Sequence, residues 1–113
     1  MNFDIIETMK NSAEASETVT FAKALADDTR QRIMELCCCN PMSVNELVEA
    51  MEVAQPTVSH HLAILRNAGL VITERRGKQI MYQIDQAKLA NNCCQVARVF
   101  APGVEVELVG KEP

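Results

Sequence analysis

The chain has 113 residues, enough for one domain around one hydrophobic core. It contains no tryptophan and one tyrosine, so aliphatic side chains and methionine must fill that core. No apolar run is long enough for a transmembrane helix, and no basic segment precedes an apolar one at the N-terminus. We therefore expect a cytoplasmic protein with no membrane partner, whose domain spans residues 1–103 and whose C-terminal tail spans 104–113.

The net charge of −4 argues against a nucleic-acid partner, but the distribution of charge argues for one. Residues 1–53 carry ten acids and four bases, whereas residues 54–84 carry four bases and one acid. One basic stretch in an acidic chain is expected when a single face of the protein meets phosphate.

The N-terminal part of the chain predicts two helices, over residues 4–16 and 18–26, because apolar residues recur three and four positions apart. The first helix finds no partner within so small a chain, so we expect it to pack on a second subunit. In the second helix, the residues predicted to face inward are Val19, Ala22 and Leu25.

A third helix is predicted over residues 29–38, capped by Asp27 or Asp28 and stopped by Asn40-Pro41. Ser43 and Glu46 match a capping box, which predicts a short helix after them. Residues 52–54 are predicted to form a short turn between this helix and the next one. Proline is favoured in the first turn of a helix, so Pro56 predicts the start of the next one, and Gly69 ends it as a left-handed cap.

Two strands are predicted over residues 71–76 and 79–84, with Gly77-Lys78 as the turn between them. Asp85 caps a last helix that runs to Phe100. Its predicted apolar stripe consists of Leu89, Val96, Val99 and Phe100. The predicted fold is mostly α with a small β-hairpin, a homodimeric winged helix-turn-helix of order α-α-α-α-α-β-β-α.

The second helix of the helix-turn-helix pair is predicted to read a major groove of double-stranded DNA. One of its faces is apolar and belongs to the core, whereas the other presents short polar side chains with no acid among them, as base edges and phosphates require. The predicted DNA-binding residues are Gln55, Thr57, Ser59, His60 and Arg66 on the helix and Arg75, Arg76 and Lys78 on the hairpin. The alternative is an ordinary polar helix face and a solvated turn.

The adjacent His60 and His61 do not predict a zinc site, because neighbouring helical positions point about 100° apart. We expect His60 to contact DNA and His61 to pack. No catalytic arrangement is recognisable, so no enzyme activity and no obligatory cofactor are expected.

The segments 21–36, 42–71 and 74–84 together resemble the arsenic-repressor (ArsR/SmtB) family of bacterial regulators, and the resemblance covers residues 19–100. It implies a homodimer whose first and last helices form the interface. It also implies a repressor that stays on its operator until an inducer lowers its affinity.

The resemblance also indicates where a sensor site would lie. One variant of the family carries a Cys-x-Cys, but Val44 and Glu46 stand at the matching positions. Another uses Asp and His in the last helix, which here has Asp85 and no histidine. The pattern that fits best has one cysteine late in the third helix, matched by Cys37, and another in the last helix.

The five cysteines form two groups and are candidate metal ligands or redox sensors, with small buried apolar side chains as the alternative. They are Cys37, Cys38, Cys39, Cys93 and Cys94. Three consecutive helical cysteines cannot converge on one ion. Either the helix unwinds at Cys38-Cys39, or one cysteine of each group contributes. We expect the second arrangement, with Cys37 or Cys38 meeting Cys93 or Cys94.

Thiolates select soft ions, so the expected inducer is trivalent arsenic or antimony, cadmium, mercury, lead or cuprous copper. The alternatives are a repressor that senses oxidants or persulfide through a Cys37–Cys93 or Cys37–Cys94 bridge, and a winged-helix DNA binder without cysteine sensing. A winged helix used only for protein contacts is a further alternative.

Overall fold

The structure is a computed structural model that describes residues 12–104. Within this range, five helices and three strands follow one another. They are α1 (Ser12–Leu25), α2 (Asp28–Leu36), β1 (Met42–Ser43), α3 (Val44–Met51), α4 (Gln55–Asn67), β2 (Val71–Arg76), β3 (Gln79–Ile84) and α5 (Gln86–Phe100). The predicted winged helix-turn-helix is confirmed. Most of the predicted helix 4–16, and residues 105–113 of the predicted tail, lie outside the described residues.

The predicted break between the first two helices is wrong, because α1 runs without interruption through residues 16–18. No glycine or proline lies within α1, and the Thr20 hydroxyl donates to the Ser16 carbonyl at 3.0 Å inside the helix. Helix propensity is therefore continuous across the position where two helices were expected.

The inward face of α1 also differs from the prediction. Phe21 and Ala24 are buried, whereas Val19 is 50% exposed and Ala22 is exposed too. Phe21 is the largest apolar side chain among these four, and burying it turns the helix so that Val19 and Ala22 leave the core.

Helix α2 begins as predicted, since the Asp27 carboxylate accepts the backbone N–H of Arg30 at 3.0 Å and acts as the N-cap. It ends earlier than predicted, at Leu36. Cys37 already leaves the helical region, with φ −108° and ψ 19°. The two cysteines that follow therefore stand in a turn before Asn40-Pro41 and are not helical.

The strand β1 was not predicted. It pairs antiparallel with β3, Met42 opposite Tyr82 and Ser43 opposite Met81, which gives a sheet of order β1-β3-β2. A strand of two residues carries no alternation of its own, and its partner lies about forty residues away. Only the tertiary fold defines it.

The helix-turn-helix is formed by α3 and α4. The Ser43 hydroxyl accepts from the Glu46 N–H at 3.1 Å, and the Glu46 carboxylate accepts from the Ser43 N–H at 2.9 Å, which confirms the predicted capping box. Glu52 ends α3 in the left-handed region, at φ +56°, and turns the chain toward α4. Pro56 lies in the first turn of α4, as predicted.

The strands β2 and β3 have the predicted bounds and form an antiparallel hairpin, in which Val71 lies opposite Ile84 and Arg76 opposite Gln79. Gly77, at φ +63°, supplies the turn, where a side chain would be strained. We call residues 71–84 the wing.

One aliphatic core joins these elements. Its largest fully buried side chains are Ile33, Leu47, Leu62, Leu65, Leu70, Val58 and Cys37. From α5, Leu89 and Val96 pack against the core as predicted, but Val99 and Phe100 do not. They are 63% and 75% exposed.

Candidate nucleic-acid interface and thiol turn

Helix α4 has one buried face and one exposed polar face. Val58, Leu62 and Leu65 are at most 2% exposed and hold the helix on the core. The five residues predicted to contact DNA from this helix are all exposed: Gln55, Thr57, Ser59, His60 and Arg66. No acid lies in the first turn of α4, so the positive end of the helix dipole faces solvent without compensation.

The wing lies beside this exposed face. A groove of about 270 Å³ between α4 and β3 is lined in part by Ser59, Arg66 and Tyr82. Arg75, Arg76 and Lys78 are all exposed around the tip of the wing. Glu74, the one acid of the stretch 54–84, accepts from the Arg76 guanidinium at 3.1 Å and partly neutralises it.

The two histidines of α4 have different environments, and the DNA contact of His60 stays a prediction. His60 is exposed, whereas His61 is half-buried and its Nδ1 atom lies 3.1 Å from the Arg30 guanidinium. The backbone N–H of Arg30, donated to the Asp27 carboxylate, lowers the pKa of Asp27, and the charge of Arg30 lowers it further. The role of Arg30 could not be predicted from sequence, because no local pattern connects it to a residue 31 positions away.

The segment 37–40, which we call the thiol turn, follows the end of α2. The Cys38 and Cys39 thiols contact each other, and either of them can donate to the other. Cys38 is half-buried and Cys39 is exposed. The hydrogen bond that the protonated Cys38 thiol shares with Cys39, followed by desolvation and by the charges of Cys39 and Glu35, raises the pKa of the Cys38 thiol.

Cys37 has a different environment from its two neighbours. Its side chain is fully buried in the core, which agrees with the alternative of a small buried apolar side chain at this position. Burial raises the pKa of the Cys37 thiol to about 11, and the charge of Cys38 acts in the same direction. Cys37 is therefore protonated at neutral pH and poorly reactive as a nucleophile.

The second group of cysteines lies within α5, where Cys93 is exposed and Cys94 is half-buried. Gln86, at the start of α5, donates through Nε2 to the Cys38 carbonyl at 3.0 Å. Cys93 lies two turns further along α5, about 10 Å by the rise of a helix. All five cysteines are free, and within residues 12–104 no three His, Cys, Asp or Glu side chains form a metal-binding group. A pairing of Cys37 or Cys38 with Cys93 or Cys94 stays a prediction.

Large apolar side chains are exposed on the wing, on α1, at the end of α5 and just after it. Ile72 and Ile80 of the wing are 51% and 45% exposed, and Val19, Val99, Phe100 and Val104 are between 50% and 75% exposed. The two helices contact each other, and an ion pair between Lys88 and Glu17, at 3.7 Å, joins them. Side chains of this kind are costly to leave in water.

Comparison with known proteins places these features in a family. The family model described as "Bacterial regulatory protein, arsR family" matches residues 27–73, the segment from the cap of α2 into β2. An arsenical resistance operon repressor of Staphylococcus aureus is 36% identical, and the match covers 65% of this chain and 70% of that protein. The chain belongs to the ArsR family.

Two other relatives differ in how much of their length is matched. An HTH-type transcriptional regulator of Mycobacterium tuberculosis is 41% identical over 60% of this chain, which spans 64% of that protein, less than two thirds. The transcriptional activator HlyU of Vibrio cholerae is 36% identical, with 74% of each chain covered. Both relatives are described as regulators of transcription.

Solved structures agree with the fold. An ArsR-like transcriptional regulator from Rhodococcus sp. RHA1 matches 80% of this chain and 85% of its own, with a TM-score of 0.74 and 26% identity. A homodimeric winged helix-turn-helix domain from Mycobacterium bovis matches 87% and 91%, with a TM-score of 0.67 and 26% identity. In residues 12–104 of this ArsR-family chain, no helix is long and apolar enough to cross a membrane.

Proposed function

We propose that this chain is a homodimeric transcriptional repressor that binds double-stranded DNA through α4 and the wing and is released by chemistry at its cysteines. The observation that carries the proposal is the exposed face of α4. Five polar or basic side chains without an acid lie on one helix, next to a basic hairpin. Such a helix fits a major groove, and such a hairpin fits the flanking phosphates.

The exposed apolar residues of α1 and α5 support the dimer. A second copy that presents the same residues would cover Val19, Val99 and Phe100 by symmetric contact. The Mycobacterium bovis relative is described as homodimeric, which agrees with this arrangement. Two copies of α4 would then meet two half-sites on one face of the duplex.

Soft thiophilic metals and metalloids are the proposed inducers. The chain has five free thiols, and within the residues that the structure describes no preformed group of oxygen or nitrogen ligands is present. The thiols therefore favour ions that prefer sulfur. A ligand at the cysteines acts as inducer only if it binds the free protein more tightly than the DNA complex. A coupling of about 1–3 kcal/mol lowers DNA affinity by about 5- to 150-fold.

The DNA-binding proposal is tested with duplexes selected from random sequence by the purified chain. Fluorescence anisotropy measures Kd over a range of salt concentrations. We expect nanomolar or tighter binding that weakens steeply with salt, and a drop of at least tenfold when Ser59 is replaced by alanine. A matched control is Asn91→Ala, a similarly small change at an exposed position of α5, outside α4 and the wing.

Selection that enriches no sequence, with no duplex binding at low salt, would leave the winged helix as a protein-contact module and overturn the proposal. Binding that survives with equal affinity in Ser59→Ala and in the double variant Gln55→Ala/His60→Ala would equally remove α4 from the interface.

A further inference from the structure

The groove between α4 and β3, which we call the α4–β3 groove, is lined by hydrogen-bond donors. Ser59, Arg66 and Asn67 contribute to its α4 wall, and Tyr82 stands on the β3 side. Ser59 lies about two helical turns before the other two α4 residues, so all three side chains fall on one strip of the helix. Among the described residues that line this groove, none is an acid.

The four polar side chains of the groove have no protein partner within the described residues. No side-chain hydrogen bond and no ion pair formed within residues 12–104 involves any of them. Hydroxyl and amide groups can donate, and a guanidinium offers five donors and a permanent positive charge. Free donors on one groove, without a carboxylate among them, suit a ligand that accepts hydrogen bonds and carries negative charge.

The fold restricts Tyr82 before any ligand binds. Tyr82 lies in the central strand of the sheet, where it pairs with Met42 on one side and with Thr73 on the other. Its half-buried ring also packs against the core. Because strand pairing and core packing both restrict the ring, the hydroxyl loses little conformational freedom when it binds a ligand.

The size and position of the groove favour a DNA strand over an enclosed small molecule. The groove measures about 270 Å³, whereas pockets for drug-sized ligands measure about 300–1,000 Å³. Strand side chains alternate between the two faces of a hairpin, and the pairing of Arg75 with Ile80 places Arg75 on the same face as Tyr82. A strand of DNA that passes Arg75 near the tip of the wing would therefore continue over the groove.

We infer that the α4–β3 groove holds one phosphodiester of the DNA backbone, and that Tyr82 and Asn67 bind DNA together with Arg66 and Ser59. This inference rests on the proposed function and names the part of the duplex that the groove takes. The phosphate oxygens accept from the Tyr82 hydroxyl and the Asn67 amide, while the Arg66 guanidinium neutralises the charge. Such a contact carries no sequence information, and it fixes the register of α4 in the major groove.

The test uses the full chain with its selected duplex and begins with Tyr82→Phe, which keeps the ring and removes the hydroxyl. Thermal unfolding checks that the fold is retained. We expect Kd to rise by about 5- to 20-fold, by the same factor on duplexes with single base-pair changes. The slope of log K against log salt concentration should stay unchanged, because no charge is removed, whereas Arg66→Ala should make it shallower by about one unit.

The matched control is Gln83→Met, at the next residue of β3, whose side chain lies on the opposite face of the strand. Its Kd should stay within about twofold of that of the unaltered chain. Duplexes in which a neutral methylphosphonate replaces one phosphate at a time then locate the contact. At one position in each half-site, the replacement should weaken binding of the unaltered chain at least about threefold more than binding of Tyr82→Phe/Asn67→Ala.

Equal affinity of Tyr82→Phe and the unaltered chain would overturn the phosphate site while leaving DNA binding through α4 in place. The same conclusion follows if every methylphosphonate weakens both proteins equally. A changed sequence preference in Tyr82→Phe would assign Tyr82 to base readout and so contradict the inference. If the unaltered chain binds no duplex, the proposed function itself fails, and the phosphate site fails with it.

Discussion

The guanidinium of Arg30 in α2 donates to the Nδ1 atom of His61 in α4 across 3.1 Å. Because arginine offers only donors, the Nδ1 atom must accept, and His61 carries its proton on Nε2. The same guanidinium donates to the Ala24 carbonyl at 2.7 Å and to the Lys23 carbonyl at 2.9 Å. One side chain thus connects α4 to the end of α1 and helps to fix the orientation of the helix assigned to DNA.

Replacing Arg30 by methionine keeps an unbranched stem and removes all three donated bonds. Arg30 is 12% exposed, so the groups left behind lose their partner in a partly dry environment. We expect a loss of about 2–4 kcal/mol in the free energy of unfolding, measured by urea titration. Arg32→Met, on the exposed side of the same helix, should change it by less than about 0.5 kcal/mol. Equal changes in the free energy of unfolding for the two variants would show that the Arg30 contacts do not stabilise the fold.

The adjacent histidines should give opposite results. His61→Ala removes the acceptor of Arg30 and should lower the free energy of unfolding by about 1–2 kcal/mol. His60→Ala, at an exposed position, should leave stability within about 0.5 kcal/mol and weaken binding to the selected duplex several-fold. Thermal unfolding measures the stability of each variant, and fluorescence anisotropy of the same two preparations measures its affinity for the duplex. If His60→Ala destabilises and spares DNA binding, the two roles are assigned wrongly.

The elements with local signals were predictable. Ser43 and Asp85 cap α3 and α5 through their own side chains, and Gly77 marks the hairpin turn, so these helix starts and the wing were placed closely. The apolar face of α4 was also right, since Val58, Leu62 and Leu65 follow helical spacing. Each of these features is encoded within a few residues of chain.

Features that depend on distant contacts were not predictable. The strand β1 exists through its pairing with β3, and Phe21 displaces Val19 from the core through packing of whole helices. The early end of α2 at Leu36 brings Cys38 and Cys39 together. The sequence allows unwinding there, but cysteine propensity alone does not favour it over a continued helix.

Glu74 limits the positive charge of the wing. Its carboxylate holds the Arg76 guanidinium at 3.1 Å and would itself repel phosphate. Glu74→Gln should therefore strengthen DNA binding several-fold. It should also steepen the slope of log K against log salt concentration, by up to about one unit for each additional phosphate that the wing neutralises. Arg75→Ala should weaken DNA binding and make the slope of log K against log salt concentration shallower. Anisotropy titrations at several salt concentrations measure both, and weaker binding by Glu74→Gln would contradict the assigned path of the DNA backbone.

The buried Cys37 thiol should make stability fall in alkali. Its folded pKa is raised from 9.0 to about 11, so between these values the unfolded chain releases a proton that the folded chain retains. The stabilising contribution is complete below pH 9 and is lost as the pH rises to 11, by about 2–3 kcal/mol. Urea titrations across this range should show a shallower fall in Cys37→Ala. The same slope in both proteins would mean that Cys37 titrates normally.

We propose that two copies of α4, held by a symmetric dimer, read one face of DNA. Hydroxyl-radical footprinting of the purified chain on its selected duplex shows whether they do. We expect two protected patches related by two-fold symmetry, centred one helical turn or a multiple of it apart, about 10–10.5 base pairs per turn. A single asymmetric patch, or protection with no sequence preference, would overturn the proposed dimer on DNA.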